Sequence, residues 1–279
     1  MRRRYEITDE AWEKIEPLLP SNGKRGGQWK DHRTILNGIL WKFGTGAPWR
    51  DLPARYGSWK TCYYRFTRWQ KDGTWDRLLK HVQTYSHAVS DVDWVVFVDS
   101  TIVRAHQHAA GARKKGDPRF QNEALGRSRG GLTTKIHLAC DGKGRPLAFT
   151  ITPGQQHDCT QLQALLDSIS VPCLGKGRPR KRPDHLIADR GYSYPSCRRF
   201  LQKRGISHTI PERRDQAERR AKKPGCPLTF NKEQYSRRNV IERCINRLKQ
   251  WRGFATRYEK RAVYFCAAIT LISLIMWLN

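Results

Sequence analysis

Two carboxylates stand at the ends of two apolar runs: Asp99 closes WVVFVDS, and Asp189 closes HLIADRG. Each run is short and continuously apolar, the pattern of a strand buried on both faces. If the two strands are parallel neighbours, their carboxylates emerge side by side at the carboxyl end of a sheet, where α/β folds hold their active sites. Carboxylates that close repel, so one is protonated or a cation lies between them. A hard divalent cation, Mg²⁺ or Mn²⁺, suits oxygen donors of this kind. Taken singly, either Asp reads as the residue that starts a turn after a strand.

Glu242 is the third acid. It is the only one in YSRRNVIERCINRLKQ (235–250), against five Arg or Lys. A surface helix built on i,i+4 ion pairs would carry several carboxylates. At 100° per residue, Tyr235, Arg238, Glu242 and Lys249 share an arc of roughly 60°. That arc borders an apolar stripe of Val240, Ile241, Cys244, Ile245, Leu248 and Trp251. Glu242 then sits at the edge of the core, placed to complete a metal site, with Arg238 and Lys249 placed to hold a phosphate. An exposed helix with incidental Arg–Glu contacts would show the same spacing.

The elements that must position these residues are legible along the chain. ITDEAWEKIEPLLP reads as a helix capped by Thr8 and stopped by Pro20. DHRTILNGILWKFG is a second helix, and the Gly/Pro turn GTGAPWRDLP follows it. SWKTCYYRFTRWQKDG is a basic, aromatic third helix, so residues 1–85 read as a helix-turn-helix-like DNA-binding domain. Its base-reading candidates are Lys60, Arg65 and Arg68. From residue 92 the period changes to that of strands, with LTTKIHLACDGKGRPLAFTITPG a hairpin around Asp141–Gly142. A helix over about 158–169, the strand ending at Asp189, the helix PSCRRFLQKRG and the strand ISHTIP follow. Residues 92–279 are therefore expected to be a mixed sheet with flanking helices. Residues 212–229 have almost no large apolar residue and read as a mobile basic loop.

Composition names the partner. The chain has 53 Lys and Arg against 25 Asp and Glu, a net charge of +28. Charge of that size implies a polyanion, with nucleic acid the default. Residues 176–260 alone hold 25 Lys or Arg and 8 acids. Within them GKGRPRKRP carries Arg178, Arg180, Lys181 and Arg182, which would track phosphates without reading sequence. The eight cysteines form no Cys-x-x-Cys pair, so reduced thiols of a cytoplasmic protein are expected. VYFCAAITLISLIMWLN falls short of the roughly 20 residues of a spanning helix; it reads as a core helix, with no membrane role.

Asp99 in VDST, Asp189 in ADRGY and the spacing Tyr235-x₂-Arg238-x₃-Glu242-x₆-Lys249 together resemble the DDE transposases of bacterial insertion sequences. GGLTTKIHLACDGKGRP and ITDEAWEKIEPLLP resemble the insertion-sequence-five group, so the likeness covers nearly the whole chain. It implies a ribonuclease-H-like catalytic fold, with Asp99, Asp189 and Glu242 as catalytic residues and ligands of two Mg²⁺ ions (Mn²⁺ an alternative). Asp99 would bridge both ions, and Asp189 and Glu242 would take one each. The resemblance also implies double-stranded DNA partners, namely the element's terminal inverted repeats and a target, with a homodimer in the synaptic complex. Only 52 residues separate Asp189 from Glu242, which leaves no room there for the sizeable insertion domain of larger relatives. Two other readings share these residues: a metal-dependent nuclease without strand transfer, and a catalytically inactive DNA-binding regulator. His106, His108 and His137 carry no assigned role; His137 alternates with apolar neighbours and reads first as a satisfied sheet histidine, with facing the cleft together with Lys135 as the alternative.

Overall fold

The computed structural model describes residues 4–21, 28–111, 118–128, 130–222 and 230–279. Four helices lead the chain. In α1 (Asp9–Ile15) the Thr8 side chain accepts from Ala11 N at 3.0 Å, and Asp9 and Glu10 occupy the first turn. Both features stabilise a helix N-terminus. α2 (His32–Thr45) ends at Gly46, whose φ of +72° makes a left-handed cap. α3 (Trp59–Lys71) and α4 (Thr74–Ala88) are joined only by Asp72 and Gly73. The tight helical turn thus lies between α3 and α4, not between α2 and α3 as the sequence suggests. Pro48 and Pro53 each fix φ ahead of a 3₁₀ turn, Trp49–Asp51 and Ala54–Tyr56, and these two turns take up the Gly/Pro segment between α2 and α3.

The sheet begins with β1 (Val95–Ala105), followed by the short helix α5 (Gln107–Ala110), β2 (Gly126–Ser128), β3 (Gly131–Cys140) and β4 (Pro146–Pro153). Then come α6 (Asp158–Ser168), β5 (His185–Ala188), α7 (Pro195–Lys203) and β6 (Ser207–Thr209). The chain closes with α8 (Arg214–Ala221), α9 (Lys232–Ser236), α10 (Asn239–Lys249), α11 (Arg252–Ala255), β7 (Thr256–Arg257) and α12 (Ala262–Leu278). β3 lies antiparallel between β1 and β4, and the parallel strands β5 and β6 extend the other edge of β1. Across the sheet the order is β4-β3-β1-β5-β6, a mixed sheet with β3 antiparallel and β5 and β6 parallel to β1. The hairpin turn is built by buried Asp141, whose Oδ1 accepts from Lys143 N at 3.1 Å and Arg145 N at 2.8 Å.

Strand alternation divides the core. Val96, Val98, Leu186 and Ala188 join one buried cluster, which α6 and α7 cover through Leu162, Leu165 and Leu201. Phe97, Ile136, Leu138 and Ile187 join the other, covered by Val240, Ile241, Cys244 and Leu248 of α10. α12 feeds both, with Ala268 and Leu271 in the first and Phe265 and Ile269 in the second. Contact on two sides is why this helix is apolar all round. No helix among the described residues is long and apolar enough to cross a membrane. The boundary between the helical region and the sheet falls between Ala88 and Val95, yet one buried cluster crosses it, from Ile35, Phe66 and Trp69 to Leu271 and Val98.

Two expectations change. WVVFVDS is only the first part of β1, since β3 accompanies that strand as far as Arg104, long after β5 has ended at Ala188. Asp99 is therefore interior to a strand. In the stretch 212–229, Arg214–Ala221 is helical, and 223–229 lies outside the described residues. Local ion pairs take the place of apolar burial in α8: Arg214 Nε to Glu218 Oε1 at 2.9 Å, and Arg220 Nη2 to Glu212 Oε2 at 2.8 Å.

Candidate active site

Parallel pairing of β1 with β5 sets Val98 opposite Ala188. The next residue on each strand is the acid, so Asp99 and Asp189 are neighbours on the face that α10 covers. Asp99 is largely shielded from water, its side chain 18 % exposed. Burial pushes its pKa up, and the nearby Asp189 adds to that, against the opposing pull of the Ser100 amide and Arg238. Asp189 caps a 3₁₀ turn, with Oδ1 accepting from Gly191 N at 2.8 Å. A Cβ on Gly191 would lie 2.8 Å from that oxygen, so any larger residue there would push the carboxylate aside.

Glu242 enters from α10, whose apolar stripe is buried as its spacing predicts. One side chain joins it to the strand. Arg238 Nη2 lies 3.1 Å from Asp99 Oδ2 and 3.1 Å from Glu242 Oε1. Burial alone would lower the Arg238 pKa, but Asp99, then Tyr235, Glu242 and Asp189, hold it above the usual value. The helix expected to carry Tyr235, Arg238, Glu242 and Lys249 on one arc is broken. α9 stops at Ser236, whose hydroxyl bonds back to Glu233 O at 2.6 Å, and Arg238 becomes the cap residue of α10. Tyr235 packs its ring on Phe230 at 5.3 Å, and Lys249 is exposed near the far end of α10.

On the opposite face of the sheet lies a cluster whose centre the sequence reading missed. Asp158, first residue of α6, accepts from Ser100 Oγ at 2.8 Å and Lys135 Nζ at 3.0 Å. Its Oδ1 is also 3.8 Å from His137 Nδ1. Lys135 and His137 thus converge on Asp158 on the face away from Asp99. Buried Tyr192 lies between the two groups; burial raises its pKa, followed by Asp158, Asp99 and Asp189. The signal was the pairing Ser100–His137, visible only once the register is known.

The family model described as "Transposase DDE domain" matches residues 90–277. The chain belongs to the DDE transposase family. A model described as "Putative transposase of IS4/5 family" matches residues 7–79. The "Putative transposase for insertion sequence element IS402" of Burkholderia cepacia is 34% identical over 168 residues, 60% of this chain and 72% of that protein. The "Uncharacterized protein y4sN" of Sinorhizobium fredii is 38% identical over 122 residues, 43% of this chain and 93% of that protein. Among solved structures, "Crystal structure of the Mos1 Strand Transfer Complex" matches with 11% identity and a TM-score of 0.26, over 92% of this chain and 79% of that one. So slight a likeness decides nothing.

DDE transposase domains generally use divalent metal ions, and the carboxylates of Asp99, Asp189 and Glu242 are oxygen donors of the kind such ions take. Asp99 and Asp189 are already adjacent, and the positive charge between Asp99 and Glu242 is supplied by Arg238. Among the described residues no three acidic, His or Cys side chains converge closely enough for one ion; Glu242 is 52 % exposed and is turned to Arg238.

The DNA-contact candidates of this transposase divide by exposure. Lys60 and Arg68 are exposed on α3. Arg65 is 6 % exposed and is withdrawn as a base reader. Its guanidinium bonds the His32 ring and lies 4.3 Å from the Trp29 centroid, because its place three residues after Cys62 and four before Trp69 turns it inward. Arg178, Lys181 and Arg182 are exposed, while Arg180 stacks on Trp94 at 4.2 Å and pairs with Asp184. All four precede β5, at the opposite end of that strand from Asp189.

Proposed function

We propose that this transposase binds the terminal inverted repeats of its insertion sequence, cleaves DNA at the ends by metal-dependent hydrolysis and joins the freed 3′-OH to target DNA. The observation that carries the reading is the register of β1 on β5, which sets Asp99 beside Asp189 under the helix that bears Glu242. Asp99, Asp189 and Glu242 would hold the Mg²⁺ or Mn²⁺, two ions on the analogy of the family. A bound pair supplies an activated water and a clamp on the attacking and leaving oxygens of an in-line displacement.

The protein's own groups do the rest. Arg238, released from Glu242 as that carboxylate turns inward, faces the phosphate being attacked. Lys249 and Tyr235 hold the backbone on either side. Lys60 and Arg68 read the repeat, and Arg178, Arg180, Lys181 and Arg182 add sequence-independent, salt-sensitive affinity. Two ends joined by one chemistry call for a homodimer in the synaptic complex, acting on DNA in the bacterial cytoplasm.

The test is incubation of wild type, Asp99→Ala and Glu242→Gln with Mg²⁺, labelled element ends and a supercoiled target. Joined products from wild type alone are expected, with both variants still binding the ends. Several kcal/mol of transition-state stabilisation correspond to a rate loss of about 10²–10³-fold. Metal-dependent nicking without joining would point to a nuclease, and binding without chemistry in wild type to a regulator.

A further inference from the structure

The Asp158 cluster meets the candidate active site at one residue. Ser100 follows Asp99 on β1, and its two donors serve two different carboxylates. Its backbone N–H donates to Asp99 Oδ1 at 2.8 Å, and its hydroxyl donates to Asp158 Oδ1, also at 2.8 Å. Asp99, Ser100 and Asp158 thus form one line through the sheet, from the face that α10 covers to the face that α6 covers.

The Asp158 end of that line is rigid. Asp158 opens α6, whose Leu162, Leu165 and Leu166 are buried. A carboxylate in the first turn is favoured by the helix dipole. Lys135 Nζ donates to the same Oδ1 at 3.0 Å and to Gln156 O at 2.7 Å, so it ties the carboxylate to the loop before the helix. The lysine side chain is 13 % exposed, and the ion pair is well shielded from water. His137 stands directly opposite Ser100 in the ladder, with Nδ1 3.8 Å from Asp158 Oδ1. Thr152 Oγ1 holds the far side of that ring at 2.9 Å. Three side chains therefore enclose one oxygen.

The Asp99 end lacks support of its own. Pairing of β5 with β1 ends at Val98–Ala188, and β7 joins only at Arg104. Between those points Asp99 to Val103 has β3 alone as a ladder partner among the described residues. Among those residues two groups bond the Asp99 carboxylate, the Ser100 amide on Oδ1 and Arg238 on Oδ2. Arg238 is a cation and competes with a metal ion, whereas the neutral amide does not. The direction in which Asp99 meets a metal therefore depends on where Ser100 is held. Resting on the metal reading above, we infer that Asp158 is a positioning residue for Asp99. Through the Ser100 hydroxyl it fixes the singly paired stretch of β1, and with it the carboxylate that a divalent ion must find in place. Partners behind a metal ligand are typically worth about 10–100-fold in metal affinity or activity.

Ser100 gives the cleaner test, because losing its hydroxyl strands no charge: Asp158 keeps Lys135. The full-length protein is titrated with Mn²⁺ by calorimetry, and cleavage of labelled element ends is timed at saturating Mn²⁺ over a range of DNA concentrations. Ser100→Ala should weaken Mn²⁺ binding about 10–100-fold and lower kcat with KM for DNA unchanged. Its melting temperature should fall by no more than about 2–4 °C. Ser100→Thr, which keeps the hydroxyl on a side chain that strands favour, should restore both metal binding and kcat. Asp158→Asn should reproduce part of the loss, and the double variant should lose no more than Ser100→Ala alone, as residues acting along one path do. Mn²⁺ affinity unchanged in Ser100→Ala would overturn the proposal. Losses that add in the double variant would also overturn it, since Asp158 would then act by another path. Mn²⁺ uptake equal in wild type and Asp99→Ala, or absent from both, would instead overturn the metal reading on which the proposal rests.

Discussion

Arg238 places Nη2 3.1 Å from Oδ2 of Asp99, so an organic cation already neutralises the strand carboxylate that the proposed chemistry assigns to metal. The same nitrogen is 3.1 Å from Glu242. Arg238 therefore competes with a divalent ion for two of its three ligands. A hydrogen bond to a charged group is worth about 1.5–3 kcal/mol, so Arg238→Gln should tighten Mn²⁺ binding by the DNA-free protein roughly tenfold. The same variant should weaken cleavage, because the phosphate loses its partner. Calorimetric titration of Mn²⁺ checks the first, and looser metal binding in the variant would show that Arg238 organises the carboxylates rather than competing for them.

Arg65 and Arg68 sit three residues apart on α3 and have opposite fates. Arg65 is buried against His32, Trp29 and Trp69, and burial lowers its pKa. Arg68 is exposed. Arg65→Ala should cost about 1–3 kcal/mol of stability, the penalty of a broken buried polar contact, and leave the salt dependence of DNA binding unchanged. Arg68 also rests on the Trp29 ring at 4.7 Å, so Arg68→Ala should cost only about 0.5–1 kcal/mol of stability and lower the slope of log K against log salt by about one. Thermal melts and binding at three salt concentrations separate the two.

The sequence carried the elements and the three acids because strand periodicity and helical spacing are local. It missed what depends on neighbours. Asp158 looked like the first residue of a helix, and only the pairing of Ser100 with His137 across β1 and β3 shows the cluster that forms around it. Arg65 looked like a DNA reader because charge alone does not reveal a His32 and two indoles waiting for it. The break at Ser236–Arg238 was hidden for a further reason: a hydroxyl bonding back to Glu233 O is a local competitor that a 100° wheel does not count.

Lys42 and Glu259 form an ion pair across the two regions, with side chains 3 % and 8 % exposed. Removing one partner strands the other charge in a low-dielectric site, which costs about 3–5 kcal/mol, whereas replacing both with apolar groups is often neutral. Lys42→Met should therefore lower stability by an amount in that range, and Lys42→Met with Glu259→Leu should recover most of it. Urea unfolding of the single and double variants measures the coupling. If the double variant is as unstable as the single, the pair contributes by its hydrogen bonding to the surroundings and not by mutual charge.

His137 gives the fold a pH signature. It is fully buried between β1 and β4, bonded through Nε2 to Thr152 Oγ1 at 2.9 Å. Burial lowers its pKa to about 4, offset in part by Asp158 and reinforced by Lys135. The unfolded chain, with its histidine near 6.5, binds more protons than the folded one between those values. Stability due to this group is therefore complete above about pH 6.5 and is lost as the pH falls toward 4. A shift of this size corresponds to about 3 kcal/mol. Unfolding free energies at pH 7 and pH 5 should fall less in His137→Gln than in wild type. Some slope will remain, since burial also lowers His32, His185 and His208. An identical slope in the variant would mean that folded and unfolded chains bind the His137 proton equally, so that burial leaves its pKa near 6.5.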